Sequence, residues 1–264
     1  MIPQVSPAAI ALLEHFEDCS VHPDWAGGDS GIDIGYGCDI GQDPAALNAW
    51  TKYLPPADYA RLASVRGIKG DAAKAVLHKV RDIVIPQPAA LAVLRDFDMP
   101  RYARVTLATF PRSDQLPGDS FGALVSLVYN RGSSLEGDRR TEMKWIREFL
   151  QDESSWDMIP IEFADMTRLW PGPPTDSNLN GRRYYEGHLF ERGLRSSGLV
   201  PDDTLLLGDR NDGVKEMQTA LKISADGDFG PGTLNAVINW QKKQGIPTHG
   251  IGERITLSSL GIHP

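Results

Sequence analysis

The feature that most constrains this chain lies between Phe16 and Gly41, FEDCSVHPDWAGGDSGIDIGYGCDIG, where one structural rhythm gives way to another. Before it, Ser6 is placed to cap a helix and Pro7 suits a first helical position, where its missing N–H has no partner to lose. Ile10, Leu12, Leu13 and Phe16 then repeat at helical spacing, which predicts an amphipathic helix. Glu17 falls on the rim of its apolar face, while Glu14 turns further toward solvent. After Glu17 come Gly27, Gly28, Gly31, Gly35, Gly37 and Gly41, with Ile32 and Ile34 alternating against Asp33. β-Branched residues at period two between glycines predict a small β-hairpin, with Asp33 and Asp39 on either side of its Gly35-Tyr36-Gly37 turn.

A glutamate at a helix end and two aspartates on a rigid turn are the groups that acid/base cleavage of a glycosidic bond requires. FED followed by GIDIGYGCDIG resembles the catalytic segment of the phage-type lysozymes, glycoside hydrolase family 24, and within them the pesticin-type muramidase variant. That resemblance implies a mainly α, lysozyme-like α+β domain with a small hairpin. It also implies Glu17 as the acid, Asp39 as the aspartate after the turn, and Tyr36 as a substrate contact. Asp33 stands where the family carries a threonine that orients the attacking water. A carboxylate there can orient the water, act as the base itself or repel Asp39, so the choice between Asp33 and Asp39 as base stays open. Asp24 and Asp29 are further candidates, because in the phage lysozymes the aspartate precedes the hairpin.

Beyond the hairpin, Asp43 to about Leu150 is mostly helical, punctuated by Pro55-Pro56, Gly67, Gly70, Pro86, Pro111 and Pro117-Gly118. Asp71 to Val80 and Pro88 to Phe97 each bury one face. Phe121 to Asn130, FGALVSLVYN, is apolar nearly all round and predicts a central buried helix. Tyr129-Asn130-Arg131-Gly132 is similar to the Phe-Asn-x-Gly signature of the same family, which implies that Asn130 lines the substrate cleft. A helix C-terminal residue satisfying backbone carbonyls is the other reading of Asn130. Leu169 to Asn180 is a loop, and Asn178 to Glu186 is similar to a Gly-Leu-x-x-Arg-Arg-x-x-Glu segment near the end of the lysozyme domain. Arg182 and Glu186, four apart, read either as a helix-surface ion pair or, with Arg183, as groups that orient a carboxylate in the cleft. The latter makes Arg183 a candidate substrate-binding residue.

The expected division is a catalytic domain over residues 1–193, a linker over 194–207 and a small three-helix domain over 208–264. The last contains a Val-x-x-x-Gln-x-x-Leu helix, an Asp-Gly-x-Phe-Gly-x-x-Thr turn from Asp226 to Thr233 and the pair Trp240-Gln241. It resembles the type 1 peptidoglycan-binding domain, which implies bacterial peptidoglycan as partner. Val214, Met217, Leu221, Leu234, Val237, Ile238 and Leu257 suffice for its core. His249-Gly250-Ile251-Gly252 leading to Thr256 suggests an internal quasi-repeat. Asp228, Phe229, Gly230, Thr233 and Trp240 are read either as wall-binding residues or as turn chemistry and core packing.

The net charge of −8 and the absence of a Lys/Arg cluster argue against nucleic acid. No uncharged run approaches a membrane span, so stable membrane insertion is not expected. The N-terminus lacks the basic start and apolar stretch of a signal peptide, so the chain is expected to be made in the cytoplasm and to reach the periplasm or wall by release or delivery. A holin, a secretion machine or lysis of the producer would serve, and an immunity partner is left open. His15, His22, His78, His188, His249 and His263 form no HExxH or comparable pair, so neither metal nor cofactor is expected. Cys19 and Cys38 bracket the hairpin segment and read as buried thiols or as a disulfide. Together these expectations describe a muramidase, an endolysin or antibacterial effector, with a lytic transglycosylase and a non-catalytic wall-binding protein as alternatives.

Overall fold

The computed structural model describes residues 3–201 and 203–262; His263, one of the six histidines considered above, lies outside them. The fold is mainly helical with one three-stranded antiparallel sheet, and it divides into two compact units. One runs from Leu13 to Arg101; the other comprises the residues up to Leu12 and those from Tyr102 onward. Helix α1, Pro7–Phe16, contains the first boundary. Among the described residues no helix is long and apolar enough to cross a membrane.

In the Leu13–Arg101 unit the sheet has strand order β1 (Ser20–Asp24), β2 (Asp33–Gly35), β3 (Cys38–Asp39). The expected hairpin is β2–β3, with Ile34 opposite Cys38. Gly35 and Gly37 take φ of +62° and +72°, a region that L side chains avoid, which is why the turn carries glycine on both sides of Tyr36. Strand β1 was not expected, since SVHPD carries a proline and little alternation; at a sheet edge a proline costs no ladder bond. Ile32, Ile34 and Ile40 are fully buried beneath the sheet. Short helices α2 (Pro56–Ala63), α3 (Gly70–Val76) and α4 (Gln87–Val93) complete the unit. A π-helical turn, Leu94–Asp98, leads into α5, Met99–Thr109. Its widening directly precedes Pro100, whose ring excludes the carbonyl four residues back from a regular helical position.

The second unit is built around α6 (Gly118–Arg131) and α9 (Leu179–Ser196), with α7 (Thr141–Phe149) and α8 (Ile159–Asp165) beside them. Phe121 through Val128 are all buried, as all-round apolarity predicts. The two long helices approach so closely that a Cβ on Gly193 would stand 2.6 Å from the Ser120 nitrogen. There the Ser120 hydroxyl donates to the Phe190 carbonyl at 2.6 Å.

The C-terminal helices are α10 (Asp212–Ala220), α11 (Pro231–Gln244) and α12 (Arg254–Ser259). Val214, Met217, Phe229, Leu234, Val237 and Leu257 form one apolar core with Leu205 and Leu207, and this core continues into Ala164 of α8 and Tyr184 of α9. Further ties run from α9 to the preceding segment. Arg195 pairs with both oxygens of Asp209 at 2.7 and 2.9 Å and donates to the Thr204 carbonyl at 2.6 Å. The Leu207 N–H donates to His188 Nδ1 at 2.8 Å, and Arg192 bonds the Leu207 carbonyl.

Candidate functional site

Glu17 is half-buried and stands one residue beyond α1, its N–H still donating to the Leu13 carbonyl at 2.9 Å. Across the sheet, Asp24 lies opposite Asp33 and Asp33 opposite Asp39, so three aspartates occupy one row of the three strands. Residues directly opposite in antiparallel strands project to the same face, where like charges repel. Burial pushes the Asp33 carboxyl up to about 7; Asp39, Asp24 and Glu17 add to that, and the Ser20 hydroxyl, donating to Asp33 Oδ2 at 3.2 Å, works against it. Asp33 is therefore poised to gain or lose a proton near neutral pH.

Asp39 is differently employed. Its Oδ1 accepts the Gly41 and Gln42 N–H groups at 2.9 Å each, and its Oδ2 accepts the Gly31 N–H, also at 2.9 Å. Three backbone donors on one carboxylate lock the loop around β3 and consume most of its lone pairs. Tyr36 is buried, with its hydroxyl donating to Glu14 at 3.3 Å and accepting from Gln87 at 3.4 Å, so it packs the turn from within. Glu14, expected further toward solvent, is half-buried for that reason. Asp24 and Asp29 are exposed. The thiols of Cys19 and Cys38 are free. Cys38 accepts from Trp50 Nε1 at 3.4 Å, and burial pushes its thiol up to about 12. The sequence offered no signal for Ser20 as Asp33's partner, because the strand that carries it was not legible.

Asn130 and Arg183 belong to the other unit. Arg183 Nη2 donates to Asn130 Oδ1 at 3.4 Å and to Glu186 at 2.9 Å. Arg182, Arg183 and Glu186 are each at most 1% exposed. Arg182 Nε reaches Glu186 Oε1 at 3.1 Å, and the Ser126 hydroxyl donates to the same oxygen at 2.6 Å. The i,i+4 pair is therefore a core network between α6 and α9, and the surface reading of it is corrected. Hydropathy alone could not reveal this, since Arg-Arg-x-x-Glu looks the same on an exposed face.

Among the C-terminal helices the suspected repeat is a repeat of hydrogen bonds with a period of twenty-three residues. Gln218 Nε2 donates to Asp226 Oδ1 at 2.8 Å and to the Asp228 carbonyl and Thr233 Oγ1 at 2.9 Å each, while Gln218 Oε1 accepts from Gly227 N at 2.8 Å. Gln241 Nε2 lies 3.4 Å from His249 Nδ1 and donates to the Ile251 carbonyl and Thr256 Oγ1 at 2.9 Å each, while Gln241 Oε1 accepts from Gly250 N at 2.8 Å. Each glutamine thus closes the turn after its helix and fastens the start of the next. Phe229 and Thr233 are buried in this construction and Gly230 caps α11. Asp228 pairs with Arg210 at 2.9 Å, and Trp240 Nε1 donates to Ser259 at 2.8 Å.

Residues 210–260 match the family model described as putative peptidoglycan binding domain. This segment is called the wall module below. A comparison with curated proteins found no match. Among solved structures, the chain is similar to the crystal structure of the active form of the P1 phage endolysin Lyz, at 16% identity and a TM-score of 0.44, over 75% of this chain and 88% of that one.

Proposed function

We propose that the chain is a peptidoglycan hydrolase of the muramidase type, cleaving the β-1,4 bond between N-acetylmuramic acid and N-acetylglucosamine with inversion. The observation that carries the reading is Asp33: a carboxyl held near a pKa of 7, in the same unit as Glu17, on a chain whose C-terminal segment matches a wall-binding family. Glu17 protonates the leaving oxygen. Asp33 takes the proton of an attacking water, a task suited to a base that titrates near the working pH. Asp39 keeps the β3 loop in place through its backbone bonds and keeps Asp33 basic by its charge. The inverting outcome follows if water, and not the carboxylate, attacks the anomeric carbon. The wall module holds the enzyme on an insoluble polymer, which raises the local concentration of cleavable bonds.

The test is digestion of purified peptidoglycan by the wild type and by Glu17→Gln, with fragments analysed by mass and by reducing ends. Reducing muramic acid ends that disappear in the variant are expected. Anhydro ends would replace the hydrolase with a lytic transglycosylase, and an absence of fragments despite pelleting with the wall would leave a binding protein.

A further inference from the structure

The two glutamine-closed turns differ at one acceptor. In the first, Asp226 Oδ1 accepts from Gln218 Nε2 at 2.8 Å and from the Asp228 N–H at 2.9 Å. The Asp228 N–H, with the Gln218 amide, holds the Asp226 carboxyl below its ordinary range, so it stays a charged acceptor in mild acid. Twenty-three residues on, an imidazole fills the same place: His249 Nδ1 lies 3.4 Å from Gln241 Nε2 and accepts the Ile251 N–H at 3.1 Å. An imidazole that gains a proton on Nδ1 stops accepting and becomes a donor facing donors.

A second imidazole is committed in the same way. His188 of α9, 1% exposed, takes the Leu207 N–H on Nδ1 at 2.8 Å, which places the proton of the neutral ring on Nε2. That nitrogen faces the second turn, since a Cβ on Gly250 would stand 3.3 Å from it. Leu205 ties the intervening segment to the turn, exchanging both main-chain bonds with Gly252 at 2.9 Å. Neither histidine can take a proton on Nδ1 while its N–H partner stays in place.

Burial lowers both rings, His188 to about 3 and His249 to about 4. Around His188, positive charge on His249 and on Arg192 lowers it further, while the His249 main chain and Asp209 favour the charged ring. Glu253 Oε1 lies 3.6 Å from His249 Nε2. Glu191 of α9, which stands in the field of Asp157, Arg195 and Glu253, is pushed up by burial to about 7. The histidines' contribution to the closed turn is complete above about pH 6.5 and is lost as pH falls toward 4 and 3. That of Glu191 is complete below about pH 4.5 and is lost as pH rises toward 7. Between those limits, opening takes up two protons and gives up one, so acid favours the open turn by up to about tenfold per pH unit.

We propose that the turn from His249 to Gly252 and its seat on α9 form an acid-operated latch: protonation of His188 and His249 frees the Leu207 and Ile251 N–H groups and lifts the turn from the helix, while the Asp226 turn stays closed. The latch stands apart from the glycan chemistry and holds whether or not the chain is a hydrolase.

The experiment is amide hydrogen exchange on the full chain at stepped pH, corrected for intrinsic rates, in the wild type, His249→Asn and His188→Asn. Asparagine offers an acceptor oxygen near the place of Nδ1 and does not titrate. Between about pH 6.5 and 5, protection of the Leu207 and Ile251 amides should fall at least about tenfold. That of Gly227, which donates to Gln218 Oε1 in the first turn, should hold. Each asparagine variant should flatten the fall by about tenfold per pH unit. Unchanged protection in the wild type, an equal fall in both variants or a parallel fall at Gly227 overturns the proposal. Histidine nitrogen shifts of the wild type decide if a variant does not fold: both rings should be neutral, with the proton on Nε2, wherever the two amides are protected. A charged ring beside a protected amide overturns the latch.

Discussion

Replacing Glu186 by glutamine preserves shape and removes one charge, and the network around it sets the cost. Glu186 is the carboxylate shared by two arginines that are each at most 1% exposed, and it also accepts from Ser126. Without its charge, two guanidinium groups stay in the core and lose the carboxylate they share, keeping neutral acceptors such as the Ser126 carbonyl at 3.3 Å, the Ser126 hydroxyl at 3.1 Å and Asn130 Oδ1 at 3.4 Å. Breaking a buried pair by removing one partner costs about 3–5 kcal/mol, because the other charge is left uncompensated. At roughly 2–4 °C per kcal/mol for a chain of this size, Tm should fall by about 6–20 °C. Urea unfolding should show a lower midpoint at an unchanged slope. Converting Arg182 to methionine in the same chain should recover part of the loss, since two mutations within one network do not add. A loss below about 1 kcal/mol would refute the reasoning, because that is the scale of a solvated ion pair.

The raised pKa of Asp33 sets the sign of a stability effect. Its folded pKa is about 7 against an ordinary 3.8, so the folded state holds the proton more tightly; the contribution is complete below about pH 4 and lost as pH rises toward 7. Asp33→Asn should therefore gain on the wild type by up to about 1.4 kcal/mol per pH unit across that window and level off above it, read by urea titrations at stepped pH. A pH-independent difference would contradict the burial of that carboxyl. Gln241→Ala should cost about 2–4 kcal/mol, because its hydrogen bonds are all buried, and Gln218→Ala less, because most of its partners keep access to water. Thermal unfolding of the two variants should give the larger loss for Gln241→Ala, and a cost confined to Gln218 would show the second turn to be held otherwise.

How far the sequence reveals the molecule depends on whether a residue's role is local. FGALVSLVYN announces a core helix because apolarity on every side leaves no exposed face. The glycines flanking Tyr36 announce a turn because their backbone angles are closed to other residues. The turn at His249 to Gly252 was visible as an echo of the earlier one, but the glutamines that close both turns were not, since their partners sit eight to fifteen residues away. Strand β1 was hidden because its warrant is its pairing with β2 and not its own composition. The burial of Arg182, Arg183 and Glu186 depends on α6 packing across them, sixty positions upstream. For the aspartates, sequence placed Asp33 and Asp39 either side of a turn; which one is tied to backbone and which carries the exchangeable proton is decided by three-dimensional neighbours.

The apolar core that runs from the wall module into Ala164 and Tyr184 bears on how such a chain can be rebuilt. Modules joined by slack chain can be exchanged like fittings. Here a cut after Gly198 would uncover Tyr184, deprive Arg195 of Asp209 and leave His188 Nδ1 without the Leu207 N–H. A graft of another binding module would need to reproduce those seats on α9. In this part of the molecule, changes to surface residues leave those seats in place, whereas exchange of the whole segment removes them.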